Sequence, residues 1–402
     1  MWSRLRLDIG WCDLLASWIG SFSHRDRDLC QRKLESIIRH PDTGIMACLS
    51  VRSGLDLLFS ALQLPPGSEI IYSAITIPDM VSIARAHQLT PVPVDIRNED
   101  FQIDTDALIQ AITPRSKMIL VAQLFGARMD LSPVIEIAKE KDLLVAEDCA
   151  QSWAGRNEVV NPDVDITFYS FGAIKTSTAL GGALIHVRAP DCLMTMRRIQ
   201  GTYPVQNQRR YRRTIMKYAV LKLISSRIGF QLLANCGRMQ GMSVDVIVRK
   251  MTRGFNSQNL LLQLRKQPCR GLLNLMCRRI LNYDRKRVDR RIVNAQRIVE
   301  RLGLNQSPLH ANSSKHSYWV FPYETKRPGP LMERLSQHQF DTAQYGSLSV
   351  VDPPGDRPEQ VCVHARQRME ATVFLPIYSD IPLTVVDRMC DVILEVEART
   401  QE

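Results

Sequence analysis

The 402-residue sequence is poor in several things, and each absence removes a class of explanation. Its ten cysteines form no C-x-x-C pair and its eight histidines no H-x-x-x-H pair, so neither a zinc site nor a disulfide framework is signalled. No run of about 20 uncharged apolar residues occurs, which argues against a membrane-spanning helix. The apolar start "WCDLLASWIG" is interrupted by Asp13 and has no small-residue cleavage site, so it does not read as a signal peptide. Scattered thiols without such a signal fit a reducing, cytoplasmic setting. Aromatics make up only 6% and no recognised nucleic-acid motif accompanies the arginines, which disfavours nucleic acid as a partner. No internal repeat is present.

What is abundant is unevenly placed. From Arg197 to Arg291 there are 23 Lys and Arg against three acids, a net +20 in a chain whose total is +11. The flanks are therefore acidic, and the basic stretch calls for an anionic partner or a solvated helical surface. Within it, "RRYRRTIMKYAVLKLISSRIGF" sets four arginines before an apolar stripe of Ile215, Tyr218, Leu221, Ile224 and Ile228. That pattern suits a helix lying on an anionic membrane surface, at the inner face of a membrane, and equally a core helix with a basic rim. A third reading neutralises a diphosphate-bearing substrate.

Between residues 45 and 200, strand-like pieces ("IMACLSV", "TPVPVDI", "KMILVAQLFG", "LLVAED", "DITFYSF", "GGALIHV") alternate with helical ones ("SGLDLLFSALQL", "IPDMVSIARAHQL", "DTDALIQAI"). "LSPVIEIAKEKD" reads as a helix with Ser132 as N-cap. Such alternation predicts an α/β fold with a largely parallel sheet. Residues 310–402 mix "SYWVFPYE" and "ATVFLPIY" with two helical runs, a smaller α+β unit.

Ligands in open α/β sheets bind beyond the carboxyl ends of the strands. Three predicted strand ends carry chemistry: "SVRSG" with Ser53 and Gly54, "VAEDCAQ" with Asp148, and "FYSF" with Ser170. Just downstream, "SFGAIKTSTALGGALI" places Lys175 among small and apolar residues. Partial desolvation there lowers a lysine's pKa and makes it nucleophilic toward an aldehyde. A carboxylate can keep a pyridine nitrogen protonated, and a helix opened at Ser53-Gly54 would offer N–H groups to a phosphate. Together these are the demands of pyridoxal 5'-phosphate. Singly, each has a plainer explanation: a turn-capping acid, an ordinary helix start, a snorkelling lysine.

The order of these pieces resembles the DegT/StrS-type sugar aminotransferases, which belong to the fold-type I pyridoxal phosphate enzymes. The matching stretches are "SVRSGLDLLFSAL", "PPGSEIIYSAITIP", "LVAQLFGARMD", "VAEDCAQSWAG", "SFGAIKTSTALGGALI" and, more weakly, "ATVFLPIYSDIPLTVVDRM". The resemblance implies an aspartate aminotransferase-like fold: an N-terminal segment (1–44), a large cofactor domain (45–255) with the basic insert at about 197–253, and a helical connection with a small C-terminal domain (256–402). It implies that Lys175 bonds to the cofactor aldehyde and shuttles protons, that Asp148 pairs with the pyridine nitrogen, and that Gln151 lies near the ring. Ser53, Ser170 and the backbone N–H groups of Gly54 and Leu55 would hold the phosphate, and Asn256, in "RGFNSQNL", would reach the partner subunit's cofactor in a homodimer. Gly126 and Asp130 would shape the loop before the next helix.

The implied reaction moves an amino group from an amino acid, glutamate or glutamine, to a keto-sugar-like acceptor, nucleotide- or lipid-linked, in polysaccharide, glycolipid or secondary-metabolite synthesis. Family members that dehydrate carry a histidine in place of the lysine, which favours transamination. Leu55 and Ile77 depart from the family's usual threonine and aromatic, so a non-catalytic, membrane-associated regulator with the same fold and a dehydratase stand as alternatives.

Overall fold

The computed structural model describes residues 2, 7–23, 26–38, 44–155, 161–224, 259–304 and 316–398. Asn256 and the second half of the basic segment lie outside these residues.

Seven strands form the central sheet: β1 (Gly44–Cys48), β2 (Glu69–Ser73), β4 (Thr90–Val94), β5 (Ser116–Ala122), β6 (Leu144–Asp148), β7 (Ile166–Ser170) and β8 (Ala183–Val187). Their order is β1-β8-β7-β6-β5-β2-β4. The five strands from β7 to β4 run parallel, and β8 is antiparallel to both its neighbours, β7 and β1. β1 therefore points the same way as the parallel set. The parallel strands are buried on both faces, so they read as continuous apolar runs such as "MILVA". A short strand β3 (Ile75–Thr76) continues past β2 and pairs with β10 (Ser349–Val350).

Helices α3 (Val51–Leu62), α4 (Pro78–Ala86), α5 (Thr105–Ala111), α6 (Ser132–Glu140) and α7 (Pro190–Gly201) connect the strands. α5 starts on Asp104, whose carboxylate accepts from the N–H groups of Asp106 and Ala107. α6 begins one residue earlier than the sequence suggests: Leu131 is its N-cap, and Ser132 lies in the first turn, donating its N–H and hydroxyl to Asp130. Asp130 is thus the acceptor that shapes this loop. Underneath α3, buried Asp56 takes both Nε and Nη2 of Arg265 and the Nε2 of His87. Burial alone would raise the Asp56 pKa, but those partners outweigh it and hold it below the usual carboxylate range.

Against the other face of the sheet lie α1 (Trp11–Gly20), α2 (Arg27–Ile37), α8 (Gln208–Ile224) and α10 (Arg270–Leu281), with a short α9 (Leu260–Leu264) beside α3. The stripe predicted on α8 is only partly a surface: Tyr211, Ile215 and Tyr218 are buried in the core, where the Tyr211 hydroxyl donates to Ala179 O at 2.9 Å. The long α11 (Lys286–Arg301) then leads to β9 (Phe321–Glu324), α12 (Pro328–Gln337), α13 (Val363–Ala371), β11 (Thr372–Leu375) and α14 (Leu383–Ala398). β9 and β11 pair antiparallel and share a separate core with α11 and α14. Among the described residues no helix is long and apolar enough to cross a membrane, and no group of three His, Cys, Asp or Glu could hold a metal.

Candidate active site

Sheet register brings the chemistry together. Cys48 and Ser170 both pair with Ala183, so the ends of β1 and β7 lie level across β8, roughly 10 Å apart at normal strand spacing. Asp148, at the end of β6, pairs with Phe168, two residues back from Ser170. Lys175 follows in the turn after β7, where its N–H donates to Gly172 O at 3.0 Å. The Gly172 backbone is close to both groups: a Cβ there would sit 3.4 Å from Ser170 Oγ and 3.7 Å from Lys175 Cγ.

Asp148 is buried, and its Oδ1 accepts the Ala150 N–H at 2.9 Å. Burial pushes its pKa up, while that hydrogen bond and the charge of Lys175 pull it back. Lys175 is shifted the other way. Desolvation brings its pKa down to about 8 and Arg52 pushes in the same direction, against the attraction of Asp148. Each of the two side chains is thus within electrostatic reach of the other.

Lys175 is half-buried, and Trp319 lies over its amine. The ammonium lies 4.3 Å from the ring centroid, within cation–π range. The indole N–H anchors the ring by donating to Ile174 O at 3.0 Å. The segment carrying Trp319 is tied to two other stretches of the chain. Ser317 N–H donates to Gly126 O at 2.7 Å, and buried Arg291 donates its Nε to Ser317 O at 2.7 Å and its Nη1 to Thr176 Oγ1 at 3.4 Å. Gly126 has φ +100°, and a Cβ there would fall 2.5 Å from Trp319 N, so the close approach requires glycine. Gln151 stiffens the same loop: its Oε1 accepts the Phe125 N–H at 2.8 Å, which leaves its amide NH2 to meet a ligand.

The phosphate cradle differs from expectation. β1 ends at Cys48, and α3 starts at Val51 with Ser50 as N-cap, three residues ahead of Gly54. Gly54 N–H is already used, donating to Ser50 O at 3.0 Å, and Leu55 is a fully buried core residue one turn inside the helix. Gly54 packs instead against β8, where a Cβ would lie 2.5 Å from Ile185 Cδ1. Neither backbone N–H can hold an anion. The first-turn N–H groups at this end belong to Val51 and Arg52, since Ser53 N–H donates to Ser50 Oγ at 3.1 Å. Ser53 keeps a hydroxyl at this end, 3.1 Å from that of Ser50.

Arg52 and Trp319 were missed from sequence. Arg52 pairs with Asp79 of α4 at 2.6 Å and acts electrostatically on both Lys175 and Asp148. A signal for it is present, a cation inside "SVRSG" at a strand end, but the sequence pattern opens the helix at Ser53-Gly54 and the structure at Val51. Trp319 lies 144 positions beyond Lys175 and carries no local signal. A planar pyridine aldehyde bearing a phosphate fits this donor set: a buried carboxylate opposite a lysine of lowered pKa, next to a helix N-terminus with an arginine and hydroxyls.

The fold is that of the sugar aminotransferases. It matches an aminotransferase TlmJ from Streptoalloteichus hindustanus with TM-score 0.71 at 16% identity, covering 100% of both chains. It also matches Helicobacter pylori PseC, an aminotransferase involved in the biosynthesis of pseudoaminic acid, with TM-score 0.69 at 15% identity and 98% of both chains covered. The model of the DegT/DnrJ/EryC1/StrS aminotransferase family matches residues 40–256, and the chain belongs to that family. In sequence it is 29% identical to GDP-perosamine synthase of Caulobacter vibrioides over 210 residues, 50% of this chain and 53% of the relative. The chain thus spans about half the length of that curated relative.

Proposed function

We propose that this protein is a pyridoxal phosphate-dependent aminotransferase that carries an amino group from glutamate or glutamine to a keto-sugar-like acceptor. The observation that carries the reading is the amine of Lys175, brought to a pKa of about 8 beneath Trp319 and within electrostatic reach of buried Asp148. When bound, pyridoxal phosphate supplies an aldehyde for capturing amines and a ring that accepts electrons.

The chain's own residues do the rest. Asp148 holds the proton on the ring nitrogen. The Val51 and Arg52 N–H groups, the Arg52 guanidinium and the Ser53 and Ser170 hydroxyls hold the phosphate. Gln151 presents its amide to the ring. Lys175 would supply the amine that meets the aldehyde and would then move a proton at the Cα of the donor, and Trp319 would keep water from that amine. The names of the relatives, GDP-perosamine synthase and dTDP-3-amino-3,4,6-trideoxy-alpha-D-glucose transaminase, support a nucleotide-linked acceptor. We assign residues 45–255 to the cofactor domain and 256–402 to a helical connection and the smaller C-terminal domain, with a homodimer in which Asn256 completes the neighbouring phosphate site.

Borohydride reduction of the protein with pyridoxal phosphate, followed by peptide mass spectrometry, tests the assignment. A cofactor increment on the Lys175 peptide is expected, absent in Lys175→Ala. In a separate, unreduced sample, glutamate should convert the bound cofactor to pyridoxamine phosphate. Modification spread over many lysines would defeat the reading, and capture without amino transfer would leave the dehydratase alternative.

A further inference from the structure

We propose that α1 and α8 form a platform that docks the protein flat on an anionic lipid bilayer. The two helices lie side by side and antiparallel. Lys222, near the end of α8, sits over the Trp11 ring at the start of α1, 5.8 Å from its centroid. Arg212, near the start of α8, sits 4.3 Å over the Phe22 ring just past the end of α1. The outward face of α1 carries Trp11, Leu15, Ile19 and Phe22, between 48% and 62% exposed. Beside them α8 shows Met216, Val220 and Leu223, between 47% and 61% exposed. Both sets recur at helical spacing, so each forms a ridge and not scattered exposure.

Charge identifies the occupant. α8 carries Arg209, Arg210, Arg212, Arg213, Lys217 and Lys222 and no acid. The single acid of α1, Asp13, is turned inward onto Arg278 and Arg279. A second copy docking here about a two-fold axis would set the same patch against itself, six cations facing six. An anionic lipid surface offers phosphate to the cations and a hydrocarbon boundary to the ridge, as amphipathic helices in the interface require. Beside the platform a groove of about 1020 Å³ between α1, α2 and α10 has exposed Leu29 and Leu281 at its walls and Arg32 and Lys33 at its rim. It extends the same combination of apolar floor and cationic edge.

The test is flotation of the full chain with vesicles of phosphatidylcholine alone, or mixed with phosphatidylglycerol, at low and high salt. The protein should float with the anionic vesicles only, and less at high salt. Arg209/Arg210/Arg213→Gln should lower partitioning about a hundredfold, at roughly fivefold per arginine. Leu15→Glu/Ile19→Glu should lower it by a similar amount. All exchanged side chains are solvent-exposed, and melting temperature checks each variant's fold. Equal recovery with neutral and anionic vesicles, or none with either, overturns the proposal. So does loss of binding in the arginine variant alone, which would mean adsorption without insertion. A Leu15→Glu/Ile19→Glu variant that turns a dimer into a monomer by light scattering would assign the face to a second copy instead. None of these outcomes depends on the chemistry at Lys175.

Discussion

The amine of Lys175 can be interrogated directly through the pH at which the cofactor-free protein captures added pyridoxal phosphate. An ordinary lysine near 10.5 is neutral in about three molecules per ten thousand at pH 7. With its pKa at about 8, Lys175 is neutral in roughly one in ten, some 300 times more. Only the neutral amine attacks an aldehyde. Stopped-flow absorbance should therefore show the capture rate rising about tenfold per pH unit up to about 8 and levelling above it.

Neighbours set the direction of two controls. Arg52 pushes the Lys175 pKa down, so Arg52→Gln should move the break upward. Asp148 pulls it up, so Asp148→Asn should move it downward. The same shift has a stability consequence. Below pH 8 both the folded and unfolded chains carry the proton, and between 8 and 10.5 the folded chain has lost it while the unfolded chain keeps it. The Lys175 contribution to stability of the cofactor-free protein therefore rises through that window. A capture rate still climbing tenfold per unit above pH 9.5, or a break that Arg52→Gln and Asp148→Asn shift in the same direction, would refute the electrostatic account.

Three other perturbations have defined outcomes. Gly126→Ala forces a Cβ to within 2.5 Å of Trp319 N at a φ of +100°; it should cost about 1–3 kcal/mol in denaturant unfolding and shift the Lys175 break as the indole is displaced. Asp13→Asn takes the nearer of two carboxylates from Arg279, which is only 5% exposed and keeps Asp8 at 4.0 Å, and should cost about 1–3 kcal/mol. Burial works to raise the Asp13 pKa, but the charges and hydrogen bonds of Arg279 and Arg278 hold it below its usual 3.8. Its contribution is thus present above pH 4 and lost as the pH falls through the lowered value, so acid unfolding curves of wild type and Asp13→Asn should converge at low pH. Leu55→Thr, which restores the family's usual hydroxyl, should leave pyridoxal phosphate affinity unchanged and cost roughly 1–3 kcal/mol, because position 55 lies in the core.

The Leu55 outcome marks where sequence stops specifying the site. The alternation of strands and helices, and the strand ends bearing Asp148 and Ser170, were legible because parallel strands buried on both faces have a strong apolar signature. The start of α3 was not. "IMACLSV" stays apolar through Val51, and nothing in the pattern shows that Ser50 turns its hydroxyl to cap the helix instead of continuing the strand. The free N–H groups of α3 therefore lie three residues, almost a full turn, ahead of the Gly54 and Leu55 that the pattern suggests, beside Arg52. Composition likewise could not divide α8, where the apolar residues Ile215 and Tyr218 go inward while Met216 and Val220, one and two positions on, go outward. Trp319 is the harder case. Its place over Lys175 depends on Gly126, Ser317 and Arg291 acting together from three separate stretches. The candidate lysine is therefore readable from one motif. The desolvation that sets its pKa comes from tertiary contacts, so Gly126→Ala should move the Lys175 titration although Gly126 stands 49 positions away in sequence.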